Sequence, residues 1–66
     1  MTLQQIADYA MEYLDSKGVA ADYDIYDNNR VRVLFLRCSV RFGLEDDDVT
    51  IRHWIDHTVM FRFSEI

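Results

Sequence analysis

The residues best equipped for chemistry are His53 and His57, four apart, with Asp56 between them and Cys38 upstream. Imidazole, thiolate and carboxylate are the groups from which zinc sites are built. A structural zinc centre needs four such ligands converging, and nothing in the spacing carries Cys38 to the histidines, so no metal site is expected. The run Glu45-Asp46-Asp47-Asp48 is rich in oxygen ligands. It lacks the alternating ligands and central glycine of a calcium loop, and calcium is not expected either. Cys38 lies in an apolar stretch and reads as a core thiol, because a nucleophilic cysteine needs an adjacent base or cation. With Gly18 and Gly43 the only glycines, no loop can cradle a phosphate. The expectation is a non-enzymatic chain with no cofactor.

Charge carries more information than any catalytic grouping. Twelve acids against seven basic residues give a net charge of −5 over 66 residues. The acids fall in blocks: residues 1–29 hold six acids and one lysine, residues 30–43 hold four arginines and no acid, and residues 44–66 hold six acids and two arginines. Asp8, Glu12 and Asp15 recur at spacings of four and three, which puts them on one helical face at steps of about 6 and 4.5 Å along the axis. Asp22 and Asp24 project from one strand face about 6.6 Å apart. Duplex DNA presents a comparably dense negative array. Carboxylates held this way can enter an Arg- and Lys-lined groove built for phosphates, steered by the summed field and then held by charge-assisted hydrogen bonds. Phosphate-backbone binding rests on clustered Lys and Arg, so direct contact with nucleic acid is not expected. The candidate partner-binding set is Asp8, Glu12, Asp15, Asp22, Asp24, Glu45, Asp46, Asp47 and Asp48. Solvation of an ordinary surface accounts for the same acids equally simply.

The elements that would position these groups follow from periodicity. Residues 2 to 17 read as an amphipathic helix, with Leu3, Ile6, Ala7, Ala10, Tyr13 and Leu14 on one face. Thr2 followed by Gln5 fits a capping box, and Gly18 after Lys17 suits a left-handed helix end. From Ala21 to Tyr26 the period changes to two, with Ala21, Tyr23 and Ile25 toward the core. A three-residue loop at Asp27-Asn28-Asn29 sets Ile25 opposite Val31, Tyr23 opposite Val33 and Asp24 opposite Arg32. The next strand, Arg30 to Phe42, is apolar in odd phase up to Phe35 and in even phase beyond it. Such a flip requires a bulge, a break into two strands or cover on both faces, and a bulge or bend is preferred.

After the acidic loop 45–48, the β-branched run Val49-Thr50-Ile51 favours two further strands joined by Ile55-Asp56-His57. His53 would then face the core, and Arg52, Trp54, Met60 and Arg62 would share an outer face, a secondary interaction patch centred on Arg52, Trp54 and Met60. The rival reading makes Asp48 a helix N-cap with Ile51, Trp54 and Ile55 on a helical stripe. The expected architecture is one α+β domain over residues 1–66, an N-terminal amphipathic helix packed on an antiparallel meander of about four strands.

A chain with half its residues apolar, of 66 in all, can build one small core. A single cysteine excludes an internal disulfide and so points to a cytoplasmic setting. No apolar run approaches the length of a membrane span or a secretory leader. Either a monomer or a weak homodimer is compatible with this size.

In size, acidity and helix-plus-meander layout the chain resembles the small acidic inhibitors encoded by phages and mobile elements, among them anti-CRISPR proteins and DNA mimics. The resemblance implies a non-catalytic inhibitor, acting in a bacterial host cell, that binds a basic nucleic-acid-binding effector such as a CRISPR Cascade or Cas subunit and blocks access to DNA. The alternative is an acidic protein-interaction module of the secretion-chaperone or antitoxin-like kind.

Overall fold

A computed structural model describes residues 1–64. The first element is α1, Leu3–Ser16. Its start is the expected capping box: Thr2 Oγ1 accepts from the Gln5 amide at 3.1 Å, and Gln5 Oε1 accepts from the Thr2 amide at 2.8 Å. Its end is fixed by Gly18 at φ 73°, whose N–H bonds Asp15 O while the Val19 N–H bonds Leu14 O. Both orphan carbonyls are thereby satisfied. Ile6, Ala7, Ala10 and Leu14 form the fully buried stripe of α1.

Three antiparallel strands follow, β1 (Ala21–Tyr26), β2 (Arg30–Phe35) and β3 (Cys38–Gly43), in the order β1-β2-β3. The first hairpin has the expected register, with Ile25 opposite Val31, Tyr23 opposite Val33 and Asp24 opposite Arg32. Asp27 and Asn28 supply its left-handed residues, at φ 58° and 59°. Between β2 and β3 the expectation of one long bulged strand fails. The chain reverses in a two-residue turn, Leu36-Arg37 at φ 51° and 62°, which pairs Phe35 with Cys38 and Val33 with Val40. The phase flip at Phe35 is therefore the signature of a tight hairpin. Both reversals keep apolar positions on one side: Val31 and Val33 from β2 and Phe42 from β3 are buried.

The second correction concerns residues 48–64, which form one helix, α2 (Asp48–Ser64), in place of two strands and an Ile55-Asp56-His57 loop. Asp47 caps it, its Oδ1 accepting from the Thr50 amide at 2.8 Å and its carbonyl from the Ile51 amide at 3.0 Å. The N-cap is one residue before the Asp48 of the helical reading. Ile51 and Ile55, one turn apart, are fully buried. Three strands with an apolar face need cover, and α1 packs on β1 and β2 while α2 packs on α1 and β3. Each such aliphatic side chain contributes about 1.5–3 kcal/mol on burial. That outweighs the mild preference of Val49-Thr50-Ile51 for strand, a scale spanning about 1 kcal/mol.

The product is a two-layer α+β sandwich of one sheet and two helices, with the other face of the sheet uncovered. Asp56 ties the helices together. Its Oδ1 accepts from the Tyr13 hydroxyl at 2.7 Å and pairs with Lys17 Nζ at 3.0 Å.

Candidate functional site

The candidate acids divide sharply by what they touch. On α1, Asp8, Glu12 and Asp15 are exposed, on the side opposite Ile6, Ala10 and Leu14. None of the three makes an ion pair among the described residues; Asp8 Oδ1 accepts one hydrogen bond, from Gln4 Nε2 at 2.9 Å. Asp22 is exposed on the neighbouring edge strand, and its Oδ1 accepts from the amide of Tyr23 at 2.8 Å. These four keep their charge facing solvent.

The other five candidates are engaged within the chain. Asp24 forms a two-point pair with Arg32, at 2.9 Å to Nε and 2.8 Å to Nη2. The Arg32 guanidinium holds the Asp24 carboxyl below its ordinary value. Glu45 pairs with Arg30 at 3.1 Å. Asp46 Oδ2 accepts from the Gly43 amide at 2.7 Å, closing the turn after β3. Asp47 caps α2, and the Thr50 amide lowers its carboxyl. Asp48 lies 3.7 Å from Arg52, one helical turn on. The sequence places all nine acids alike on a surface; the structure separates four free carboxylates from five that close turns, cap a helix or neutralise arginines.

The secondary patch is redistributed by the helix. At 100° per residue, Arg52, Trp54 and Met60 point in three directions around α2, so they do not share a face. Arg62 turns inward instead, its Nε donating to Cys38 Sγ at 2.6 Å and its Nη2 to Arg37 O at 3.1 Å. His53, expected in the core, is exposed and stacks on His57 at 6.3 Å between ring centroids, with Trp54 edge-on to both. Among the described residues no cluster of three or more His, Cys, Asp or Glu is placed to hold a metal ion, and none of their helices is long and apolar enough to cross a membrane.

Two surfaces were not read from the sequence. The uncovered sheet face gathers Tyr26 with Arg32 and Arg41, whose guanidinium carbons lie 5.3 and 5.9 Å from the tyrosine ring centroid. Arg32 was already expected on the outer face opposite Asp24; Arg41 was hidden by taking 30–42 as one strand, because only the Leu36-Arg37 turn brings it opposite Arg32. Beside the outer edge of β3, a groove of about 480 Å³ is lined by Ser39, Val40, Arg41, Trp54 and Thr58. It exists only because 48–64 is helical and runs back along β3.

No family model, curated protein or solved structure matches the chain.

Proposed function

We propose that this protein is a non-catalytic inhibitor or adaptor that binds a basic nucleic-acid-binding protein, such as a CRISPR Cascade or Cas subunit, through the free carboxylates of α1. The observation that carries the reading is the row Asp8, Glu12 and Asp15, exposed along a rigid helix with no ion pair among the described residues, and continued by Asp22. A row of fixed charges offers an arginine-lined groove the pattern of a phosphate backbone at low ordering cost. Asp24 and Glu45 to Asp48 contribute to the long-range field, but they hold the fold first.

The test is capture of partners from bacterial lysate by tagged protein at low and high salt, followed by direct affinity measurement. The reading expects a basic DNA- or RNA-binding complex whose affinity falls as salt rises. Replacing Asp8, Glu12 and Asp15 together by lysine abolishes that binding while the circular dichroism spectrum stays native. Retained binding in this variant refutes the role of α1.

A second reading, an acidic interaction module of the chaperone or antitoxin-like kind, is favoured by one observation. Beyond Ile55, α2 leaves Met60, Phe61 and Phe63 more than half exposed. Binding through that surface resists salt and is lost in Met60→Ser combined with Phe63→Ser.

A further inference from the structure

The two edges of the sheet are unequal. The β1 edge is guarded: Asp22 caps the outward amide of Tyr23, and Gln4 Nε2 of α1 donates to the Tyr23 hydroxyl. On β3, the two-residue hairpin makes Phe35 and Cys38 a hydrogen-bonded pair, so by alternation Val40 and Phe42 also bond to β2, while Ser39, Arg41 and Gly43 turn their backbone groups outward. Gly43 confirms this phase, because its amide donates to Asp46 and its carbonyl accepts from the Asp46 amide. Ser39 and Arg41 remain as a short open ladder.

The residue that would ordinarily guard that ladder points away from it. Arg41 lines the groove with its neighbours, but its guanidinium carbon lies over the sheet face, 5.9 Å from the Tyr26 ring centroid, so its charge is directed toward the face more than along the open edge. Beneath the same edge, Trp54, which lines the groove, is 48% exposed, and Phe61, about two turns further along α2, is 56% exposed. Seven residues apart, they lie within about 20° of each other around α2. An open ladder thus sits above an apolar helix flank, with the groove between them.

We propose that β3 and the Trp54 flank of α2 form the interface of a symmetric homodimer in which two β3 strands pair antiparallel and continue the sheet. The open window is centred on Val40, between the Leu36-Arg37 turn and the Asp46-capped Gly43. A two-fold axis there sets Ser39 opposite Arg41 of the partner subunit, and each such pair exchanges both N–H···O bonds. Val40 then meets the partner's Val40 on the inner face, continuing the apolar layer, and the Trp54 flank of each α2 closes on the antiparallel flank of the other below it.

The distribution of charge selects a second copy over other strands. The free carboxylates stand on α1 and β1, away from β3 in the strand order, so a chain of net charge −5 meets its own copy at β3 with both acidic rows on the far flanks, where salt screens their mutual repulsion. The interface is independent of the proposed target, and a dimer would carry one acidic row at each end.

Sedimentation equilibrium of the untagged protein from micromolar to millimolar concentration tests the proposal. A concentration-dependent dimer is expected, with the Ser39 and Arg41 amides protected from hydrogen exchange at high concentration and unprotected on dilution. Ser39→Pro removes an outward N–H without breaking a bond to β2, and Trp54→Glu places a carboxylate on the flank; each weakens the dimer at least about tenfold. A chain that stays monomeric throughout overturns the proposal. So does a dimer in which those two amides exchange freely, or one that both variants leave intact, whereas loss of binding to a nucleic-acid-binding partner would bear only on the acidic row.

Discussion

At the scale of single residues, the side chains that close turns and join elements set the protein's response to pH. Asp24, Asp47 and Asp56 are all held below the ordinary carboxyl value of 3.8, by Arg32, by the Thr50 amide and by the Tyr13 hydroxyl with Lys17 respectively. The folded chain binds fewer protons at these groups than the unfolded chain. Their contribution is present above that value and is lost as pH falls through the lowered ones. On the alkaline side, the hydrogen bonds to Asp56 raise Tyr13 and Lys17 above 10.0 and 10.5, so their contribution holds below those values and is lost as pH rises through the raised ones. Asp56→Asn is therefore expected to flatten the dependence of melting temperature on pH at both ends, as a thermal denaturation series would show. A second prediction concerns Arg37. A left-handed L-residue costs about 1–2 kcal/mol, and glycine gives back about 0.5–1 in lost backbone entropy. Arg37→Gly should thus stabilise the fold by about 0.5–1 kcal/mol in urea titration.

At the scale of elements, α1 and the first hairpin were legible because each carries its own signals: a capping box, a left-handed glycine, an Asp-Asn-Asn loop and matching faces on both strands. The second hairpin was obscured because its turn uses Leu36 and Arg37 where such turns favour Asn and Gly. Only the phase flip betrayed it. α2 was legible only as the rival reading because its apolar residues are spread around the helix, with Ile51 and Ile55 alone fully buried, so the short stripe Ile51, Trp54 and Ile55 was outweighed by the β-branched Val49-Thr50-Ile51. The helix owes its existence to the face it covers. Ile55→Ala should accordingly cost about 2–5 kcal/mol, a large share of the roughly 3–10 kcal/mol available to a domain this small. Met60→Ser, at 72% exposure, should change stability by less than about 0.5 kcal/mol. Of the candidate site, the acids of α1 were read correctly as a row on one face, whereas the uses of Glu45 to Asp48 depend on where β3 ends and α2 begins.

At the scale of the whole molecule, charge and apolar surface are segregated. The free acids occupy α1 and the adjoining edge strand, Arg32 and Arg41 lie on the bare sheet face, and the exposed aromatic side chains line α2. A protein arranged this way can engage a basic surface with one flank and leave another for apolar contact. The connection between its ends has a further consequence. Each strand pairs with its neighbour in the chain and α1 packs on β1 and β2, but the Tyr13 to Asp56 bond closes a separation of 43 residues. Loop closure of that length is costly before its contacts form, so α2 is expected to dock late in folding. Ile51→Val and Ile55→Val should then speed unfolding more than they slow refolding in stopped-flow chevrons. During synthesis the same order leaves Phe42 of β3 without its α2 cover until residues 48–64 have emerged from the ribosome, and for that interval the nascent protein offers an apolar surface to chaperones.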